Sequence, residues 1–208
     1  AVILNGIGGG LLEVLISPIV ESLPGDEKAS AMSLLHSFYC WGHVAVVLLS
    51  TLFFLLAGIN RWYCLPVIWS LVPAANIFLF SKVPLRKIVE EEHKIPLREL
   101  FHQKYFRLFI VLMLCAGSAE LAMSQWSSLF AEIGLGVSKT VGDLLGPCAF
   151  AVLMGLSRTF YGIKGSKINL NKALTSSSIL CIASYLITVF SPLPVISLIG
   201  CALCGLSV

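Results

Sequence analysis

Long stretches without any charged residue constrain the fold of this chain more than any other feature. Residues 29–60 contain no Asp, Glu, Lys or Arg, and the same is true of residues 62–81 and 173–208. A helix needs about 20 apolar residues to cross the roughly 30 Å hydrocarbon core of a bilayer, so each stretch is long enough to do so. Because backbone polar groups in lipid must be hydrogen-bonded internally, we expect these segments to be helices.

The overall composition agrees with a lipid environment. Of the 208 residues, 57% are hydrophobic and only 12% are charged, whereas a soluble domain carries about 25% charged residues. This excludes a soluble enzyme, a disordered chain and a small secreted protein. The net charge of +3 is too small to indicate a nucleic-acid partner. The seven cysteines are scattered through apolar segments and are expected to act as small hydrophobic residues rather than as a disulfide framework.

The charge-free segments predict an all-α fold, a polytopic transmembrane helical bundle of about seven spans. A proline-containing turn at residues 191–194 separates the last two spans, because two prolines do not fit within one continuing helix. The chain starts without Met and its final apolar segment is too short to cross a bilayer, so we expect a fragment of a longer protein. The predicted spans are residues 1–20, 31–58, 62–81, 105–131, 137–160, 172–190 and 195–208.

Lys and Arg are distributed unevenly between the two sets of connections. The connections at residues 21–30, 82–107 and 158–172 hold one, seven and four of them, while those at residues 59–61, 132–139 and 191–194 hold one, one and none. Positively charged loops remain on the cytoplasmic side. We therefore predict a multi-pass protein of the cell membrane with loops 21–30, 82–104 and 158–172 in the cytoplasm. The loop at 82–104 predicts a short amphipathic helix that is broken at Pro96 and restarts directly after it. This segment is either a solvated linker or an interfacial helix joining two bundles.

Two acidic residues lie deep inside predicted spans, where an ionised group costs several kcal/mol and usually faces a cavity or a partner. Glu13 follows a G-x-x-x-G pattern at Gly6 and Gly10, which allows a neighbouring helix to approach closely. Glu120 lies in a later span. For Glu13, both a structural hydrogen bond and a substrate or proton site are open. Two further acids, Glu132 and Asp143, fall near helix ends and are expected to be solvated.

Polar and aromatic side chains accompany these acids. His36, Tyr39 and His43 share one face of the second span, which indicates a helix face turned to the bundle interior. Gln125 and Trp126 lie close to Glu120 in sequence, and an aromatic ring beside amide and carboxyl groups suits a sugar; the alternative for Trp126 is an anchor at the membrane interface. No metal-binding pattern, phosphate loop or catalytic constellation is present, so we expect no metal, no cofactor and no enzyme activity.

The chain resembles the major facilitator superfamily, and within it the fucose-permease-like sugar transporters. The resemblance rests on residues 6–42, in which Glu13 is followed by Ser-Pro and then by the polar face of His36 and Tyr39. It also rests on a small motif, Gly155, Arg158 and Gly162, that is similar to the family's cytoplasmic loop motif. The resemblance implies helices four to ten of twelve. Residues 1–81 would end the N-terminal bundle, 82–104 would link the halves, and 105–208 would be the first four helices of the C-terminal bundle, the last one truncated.

The resemblance implies a secondary active transporter of a small polar solute, a sugar coupled to protons, working by alternating access as a monomer in the lipid bilayer. Glu13 and Glu120 would couple protons. The solute would bind at His36, Tyr39, His43, Gln125 and Trp126. Three alternatives remain: an exporter of drugs or other amphiphiles, a non-transporting membrane receptor or assembly protein, and, least favoured, an enzyme embedded in the membrane.

Overall fold

The computed structural model describes residues 2–22, 25, 27–82 and 96–208, and in these ranges the chain forms helices and no strands. The predicted amphipathic helix in the loop at 82–104 lies mostly outside the described residues, but its restart after Pro96 is confirmed as α4. The α-helices are α1 Val2–Ser22, α2 Lys28–Ala57, α3 Cys64–Phe80, α4 Leu97–His102, α5 Lys104–Leu129, α6 Lys139–Asp143, α7 Ala149–Lys164, α8 Leu170–Phe190 and α9 Pro194–Cys204.

A described helix lies in each of the seven predicted spans, and the all-α fold class is confirmed. Four continuous helical segments are long and apolar enough to cross a membrane: Lys28–Ala57, Lys104–Gly134, Lys139–Lys164 and Leu170–Phe190. Cys64–Phe80 and Pro194–Ser207 are shorter apolar helices. The main difference is at the end of α7, which continues to Lys164 instead of ending at residue 160, because lysine near a helix end can extend its ammonium group out of the apolar region.

Local sequence signals determine several helix ends. Gly58 ends α2 with a φ of 81°, a left-handed conformation that few other residues adopt. The side chains of Ser138 and Asn169 accept backbone hydrogen bonds at the first turns of α6 and α8, which is the usual role of an N-cap. Pro194 occupies the first turn of α9, where its missing N–H is not needed, and the predicted turn before it is confirmed.

Two single-turn π-helical segments interrupt the regular helices. Phe130–Gly134 ends the segment that α5 begins, and Leu144–Cys148 joins α6 to α7. The second turn contains Pro147, which lacks the N–H that an α-helix would require at that position. A π turn widens the backbone locally without breaking the helix, so residues 139–164 still form one span.

Helix α7 is the centre of the packing. It makes its most extensive contacts with α2, and it also packs against α9 and the short 3₁₀ turn that follows α9. Helix α8 packs against α9, and α1 packs against α2. Most other large apolar side chains are exposed, as expected for helices that face lipid. The buried apolar cluster consists of Cys40, Met123, Phe150, Met154, Cys201 and Cys204.

Glycines on one side of α7 allow α2 to approach at backbone distance. A Cβ atom on Gly162 would lie 3.1 Å from the backbone nitrogen of Leu34, and one on Gly155 would lie 3.2 Å from the Trp41 ring. Such close approach through small residues is the common way in which helices associate within membranes. We call this contact the α2–α7 seam; its residues are Ser30, Leu34 and Trp41 on α2 and Gly155, Gly162 and Gly165 on α7 and the turn after it.

Hydrogen bonds reinforce the α2–α7 seam. The Ser33 hydroxyl donates to the backbone carbonyl of Arg158 at 2.9 Å, and the Trp41 ring N–H donates to the Thr159 hydroxyl at 3.3 Å. The seam residues on α2 lie in its first half, between Ser30 and Trp41.

Candidate functional site

A cavity of about 660 Å³ lies between α1, α2, α5 and α7. Its volume is within the roughly 300–1,000 Å³ range of small-molecule sites. We call it the central cavity. Its lining combines charged and polar side chains with an apolar remainder: Gly9, Leu12, Glu13, Ile16, Ser17, Leu35, His36, Phe38, Tyr39, Gly117, Glu120, Leu121 and Arg158.

Four of the sequence-predicted site residues meet in the central cavity. Glu13 comes from α1, His36 and Tyr39 come from α2, and Glu120 comes from α5. The pattern of ionisable groups within apolar helices therefore identified side chains that converge from three helices.

Arg158 is the residue of this cavity that sequence reasoning missed. Its guanidinium Nη2 lies 3.4 Å from Oε2 of Glu120, and both side chains are largely covered, at 24% and 19% exposure. Arg158 was predicted both at the end of the span 137–160 and in a cytoplasmic loop motif. In the structure α7 continues six residues beyond it, and its side chain lines the cavity. The rule that an intramembrane charge requires a partner is the sequence signal that indicates Arg158.

Gly155 and Gly162, the other residues of the predicted loop motif, also lie within α7. Both are in the α2–α7 seam, where a Cβ atom at either position would lie closer to α2 than an ordinary van der Waals contact. Gly155 already fell within the predicted span 137–160, and the extension of α7 to Lys164 includes Gly162 as well. Moving Arg158 from the loop to the helix removes one positive charge from the cytoplasmic count, and the excess of Lys and Arg on that side remains.

Glu13 differs from Glu120 in its electrostatic surroundings. Glu120 has the Arg158 guanidinium beside it, whereas Glu13 has no ion-pair partner and no side-chain hydrogen bond among the described residues. Arg158, the cationic side chain of the cavity lining, is therefore not within ion-pair distance of Glu13. With Glu120 and Arg158 compensating each other, the described lining carries one uncompensated negative charge when Glu13 is ionised.

His43 and Gln125 line a different space. A second cavity, of about 350 Å³, lies between the later half of α2, the end of α5 and the segment around α6. We call it the outer cavity, because it lies at the end of α2 and α5 that the Lys and Arg distribution predicts to be external. It is lined by His43, Val46, Val47, Ser50, Thr51, Phe54, Ser124, Gln125, Ser128, Leu129, Glu132, Lys139, Asp143 and Pro147.

Glu132 and Asp143, which were expected to be solvated at helix ends, line the outer cavity. Asp143 is only 16% exposed and is held by two neighbours: the Ser128 hydroxyl donates to its Oδ1, and the Lys139 ammonium lies 3.3 Å from the same oxygen. The spacing of Lys139 and Asp143, four residues apart, is the sequence signal that indicates this pair.

Trp126 lines neither cavity, and 62% of its surface is exposed. Successive residues of a helix point about 100° apart. Ser127 is buried at the contact with the π turn that precedes α7, and Gln125 reaches the outer cavity, so Trp126 is turned away from both. The proposed stacking of Trp126 on a sugar therefore has no support from its position.

In the part of the chain that the structure describes, no group of three or more His, Cys, Asp or Glu side chains is arranged to hold a metal ion. The chemistry available in the two cavities is therefore that of carboxylate, guanidinium, ammonium, imidazole, phenol, amide and hydroxyl groups. These groups bind polar molecules and exchange protons with them.

Comparison with known families agrees with the helical architecture and the polar interior. The family model of the Major Facilitator Superfamily matches residues 1–208, which is the whole chain. Comparisons with curated proteins and with solved structures give no match. Members of the matched family are secondary transporters that carry small solutes within the membrane. The chain belongs to the Major Facilitator Superfamily.

Proposed function

We propose that this protein transports a small polar solute, a sugar or sugar derivative, in a cycle coupled to protons. The observation that carries the proposal is the convergence of Glu13, Glu120 and Arg158 on the central cavity, together with His36 and Tyr39. Ionisable groups within membrane helices are expensive, and they commonly mark substrate paths and proton relays.

Glu13 is the proton carrier in this proposal, and Glu120 is not. An ionised carboxylate without a countercharge is strongly disfavoured in a low-dielectric cavity, and binding a proton removes that cost. Glu120 has a countercharge beside it, because Nη2 of Arg158 lies 3.4 Å from its Oε2. We therefore assign the role of proton carrier to Glu13, the acid without an ion-pair partner among the described residues.

The remaining lining of the central cavity suits a hydroxylated solute. His36 and Tyr39 can each donate or accept a hydrogen bond, and Arg158 Nε is a buried donor with no partner among the described residues. Phe38 and Leu121 supply apolar surface in the same cavity. A sugar has hydroxyls around its rim and an apolar ring face, so it can use both kinds of surface.

The bundle arrangement of the proposal follows the family resemblance. Residues 1–81 would belong to the N-terminal bundle and residues 105–208 to the C-terminal bundle, with the linker at 82–104 between them. The α2–α7 seam would then be a contact between bundles, and the central cavity would lie at their interface. Rocking of one bundle against the other would expose the central cavity to each side in turn.

Export of amphipathic cations is the second candidate, and one observation favours it. Seven of the thirteen residues of the central cavity are apolar or glycine, and the uncompensated charge of Glu13 would attract a cation. In that case a cation and a proton would compete for Glu13, and transport would be an exchange of one for the other. In the sugar proposal, the proton and the solute bind together and move in the same direction.

The test uses the full-length protein reconstituted in lipid vesicles, with an imposed pH gradient and a panel of neutral monosaccharides and organic cations. We expect one or more monosaccharides to enter with protons. Glu13→Gln should abolish accumulation against a gradient and retain solute exchange, because a neutral amide resembles the protonated acid. Glu21→Gln, on the exposed end of the same helix, is the matched control and should accumulate normally.

Two outcomes would contradict the proposal. Transport of organic cations alone, in exchange for protons, would select the second candidate. Accumulation of solute by Glu13→Gln at the level of the control variant would show that Glu13 does not carry the proton.

A further inference from the structure

The two cavities follow one another along the same pair of helices. On α2, the lining residues of the central cavity fall between Leu35 and Tyr39, and those of the outer cavity begin at His43. On α5, the central cavity is lined by Gly117, Glu120 and Leu121, and the outer cavity by Ser124, Gln125, Ser128 and Leu129. At 1.5 Å per residue, seven residues of α2 separate His36 from His43 by about 10 Å. The cavities are therefore successive along one path.

The outer cavity is the more polar of the two. Nine of its fourteen lining residues have polar or charged side chains, compared with six of thirteen in the central cavity. Together they supply both donors and acceptors: amide and ammonium groups donate, carboxylates accept, and hydroxyls do either. A solute rich in hydroxyl groups needs this mixture of donors and acceptors. The volume of the outer cavity, about 350 Å³, is within the range of small-molecule sites.

Part of the outer cavity is held in place before any solute binds. The Asp143 carboxylate is fixed by the Ser128 hydroxyl and the Lys139 ammonium, which leaves its second oxygen as an oriented acceptor. Gln125 on α5 lines the same cavity, and its side chain makes no hydrogen bond with a described residue. A preorganised acceptor beside a free amide reduces the entropy lost on binding.

Both π turns contribute to this cavity. Glu132 belongs to the turn Phe130–Gly134, and Pro147 belongs to the turn Leu144–Cys148. Such turns are rare in helices and occur frequently at functional sites. The polar lining, the fixed carboxylate and the two backbone irregularities are independent observations, and all of them concern the same 350 Å³ space.

We propose that the outer cavity is a second binding site for the transported solute, occupied before the solute reaches the central cavity, with Gln125, His43 and Asp143 as its hydrogen-bonding residues. This inference rests on the proposed function, because it assigns the same hydroxylated solute to both sites. The outer site selects the solute by its hydroxyl groups, and the central site couples its movement to Glu13.

The first test is the binding stoichiometry of the purified full-length protein. The probe is the radiolabelled neutral monosaccharide that the vesicle assay shows to be transported. We expect two sites per chain in the wild type. In Gln125→Leu we expect the outer site to bind roughly fivefold more weakly while the central site keeps its affinity. Ser118→Leu is the matched control, a polar-to-leucine change at an exposed position of α5 outside both cavities, and it should keep two sites.

One site in the wild type, or two sites of unchanged affinity in Gln125→Leu, would overturn the inference and leave the proposed function intact. If no neutral monosaccharide is transported by the wild type, the proposed function fails and the inference fails with it. The binding count and the transport assay thus separate the two failures.

The second test compares the two directions of transport. Gln125→Leu should raise the KM for solute presented from outside by roughly fivefold, as expected for one lost hydrogen bond, and should leave the KM from inside unchanged. A variant that folds poorly would lose maximal rate in both directions. Equal increases of KM in both directions would overturn the assignment of an outer site.

Discussion

Adding one methyl group to the α2–α7 seam should destabilise the protein measurably. In Gly162→Ala, the new Cβ would lie 3.1 Å from the Cβ and backbone nitrogen of Leu34 and 3.2 Å from its Cα. Ordinary contacts between carbon atoms are about 3.5–4.0 Å, so the two helices must separate by roughly half an ångström. Because the opposing atoms belong mainly to the backbone of α2, no side-chain rotation can relieve the contact.

Overpacking of a protein core costs about 1–3 kcal/mol, and we expect Gly162→Ala to lower the free energy of unfolding by a similar amount. If the seam closes in one state of the transport cycle, the same free energy shifts the population of that state by roughly 5- to 150-fold. The assay is thermal unfolding of the full-length protein in detergent, followed by transport in vesicles. We expect a lower Tm and a lower maximal rate for Gly162→Ala.

Gly42→Ala is the matched control for this measurement. Gly42 lies within α2, and a Cβ there would meet nothing within 4 Å. Alanine in a helix interior is favoured over glycine by roughly 0.5–1 kcal/mol, so the control should be neutral or slightly stabilised. The reasoning is refuted if Gly162→Ala and Gly42→Ala have the same Tm, because the seam would then have room for a side chain.

The remaining predictions concern the ion pair and the membrane orientation. Glu120→Gln removes the ion-pair partner of Arg158 and should reduce transport and stability strongly. The double variant Glu120→Gln/Arg158→Gln should recover part of the stability, because removing one partner of a covered pair is worse than removing both. Equal thermal stability of the single and double variants would contradict a coupled pair. In a variant without the native cysteines, Arg98→Cys should react with a membrane-impermeant thiol reagent only after lysis, and Lys139→Cys should react in intact cells. The opposite labelling would reverse the predicted orientation and would place the outer cavity on the cytoplasmic side.

The helices and the convergence of the acids could be predicted from the sequence because lipid imposes simple rules. A charge-free run must be a helix, and an acid such as Glu13 within it must face a cavity or a partner. These two rules account for the described helices and for the meeting of Glu13, His36, Tyr39 and Glu120. They depend only on hydrogen bonding and charge, and both are visible in the amino-acid order.

Other positions depend on features that the amino-acid order does not display. Arg158 was predicted at the boundary between a span and a loop because lysines after a span can either end the helix or extend it, and here α7 extends to Lys164. The position of Trp126 depends on the rotation of α5, in which one residue changes direction by about 100°. The outer cavity depends on how α2, α5 and the segment around α6 pack together, which the pattern of a single helix cannot reveal.

The α2–α7 seam also has a consequence for the variation expected among homologous sequences. Each glycine of the seam faces its own residue on α2, with Gly155 opposite Trp41, Gly162 opposite Leu34 and Gly165 opposite Ser30. Volume lost on one side of such a pair can be gained on the other without changing the distance between the helices. Homologues in which position 41 is small should therefore tolerate a side chain at position 155, and the two positions should covary in size while the neighbouring lipid-facing positions vary independently.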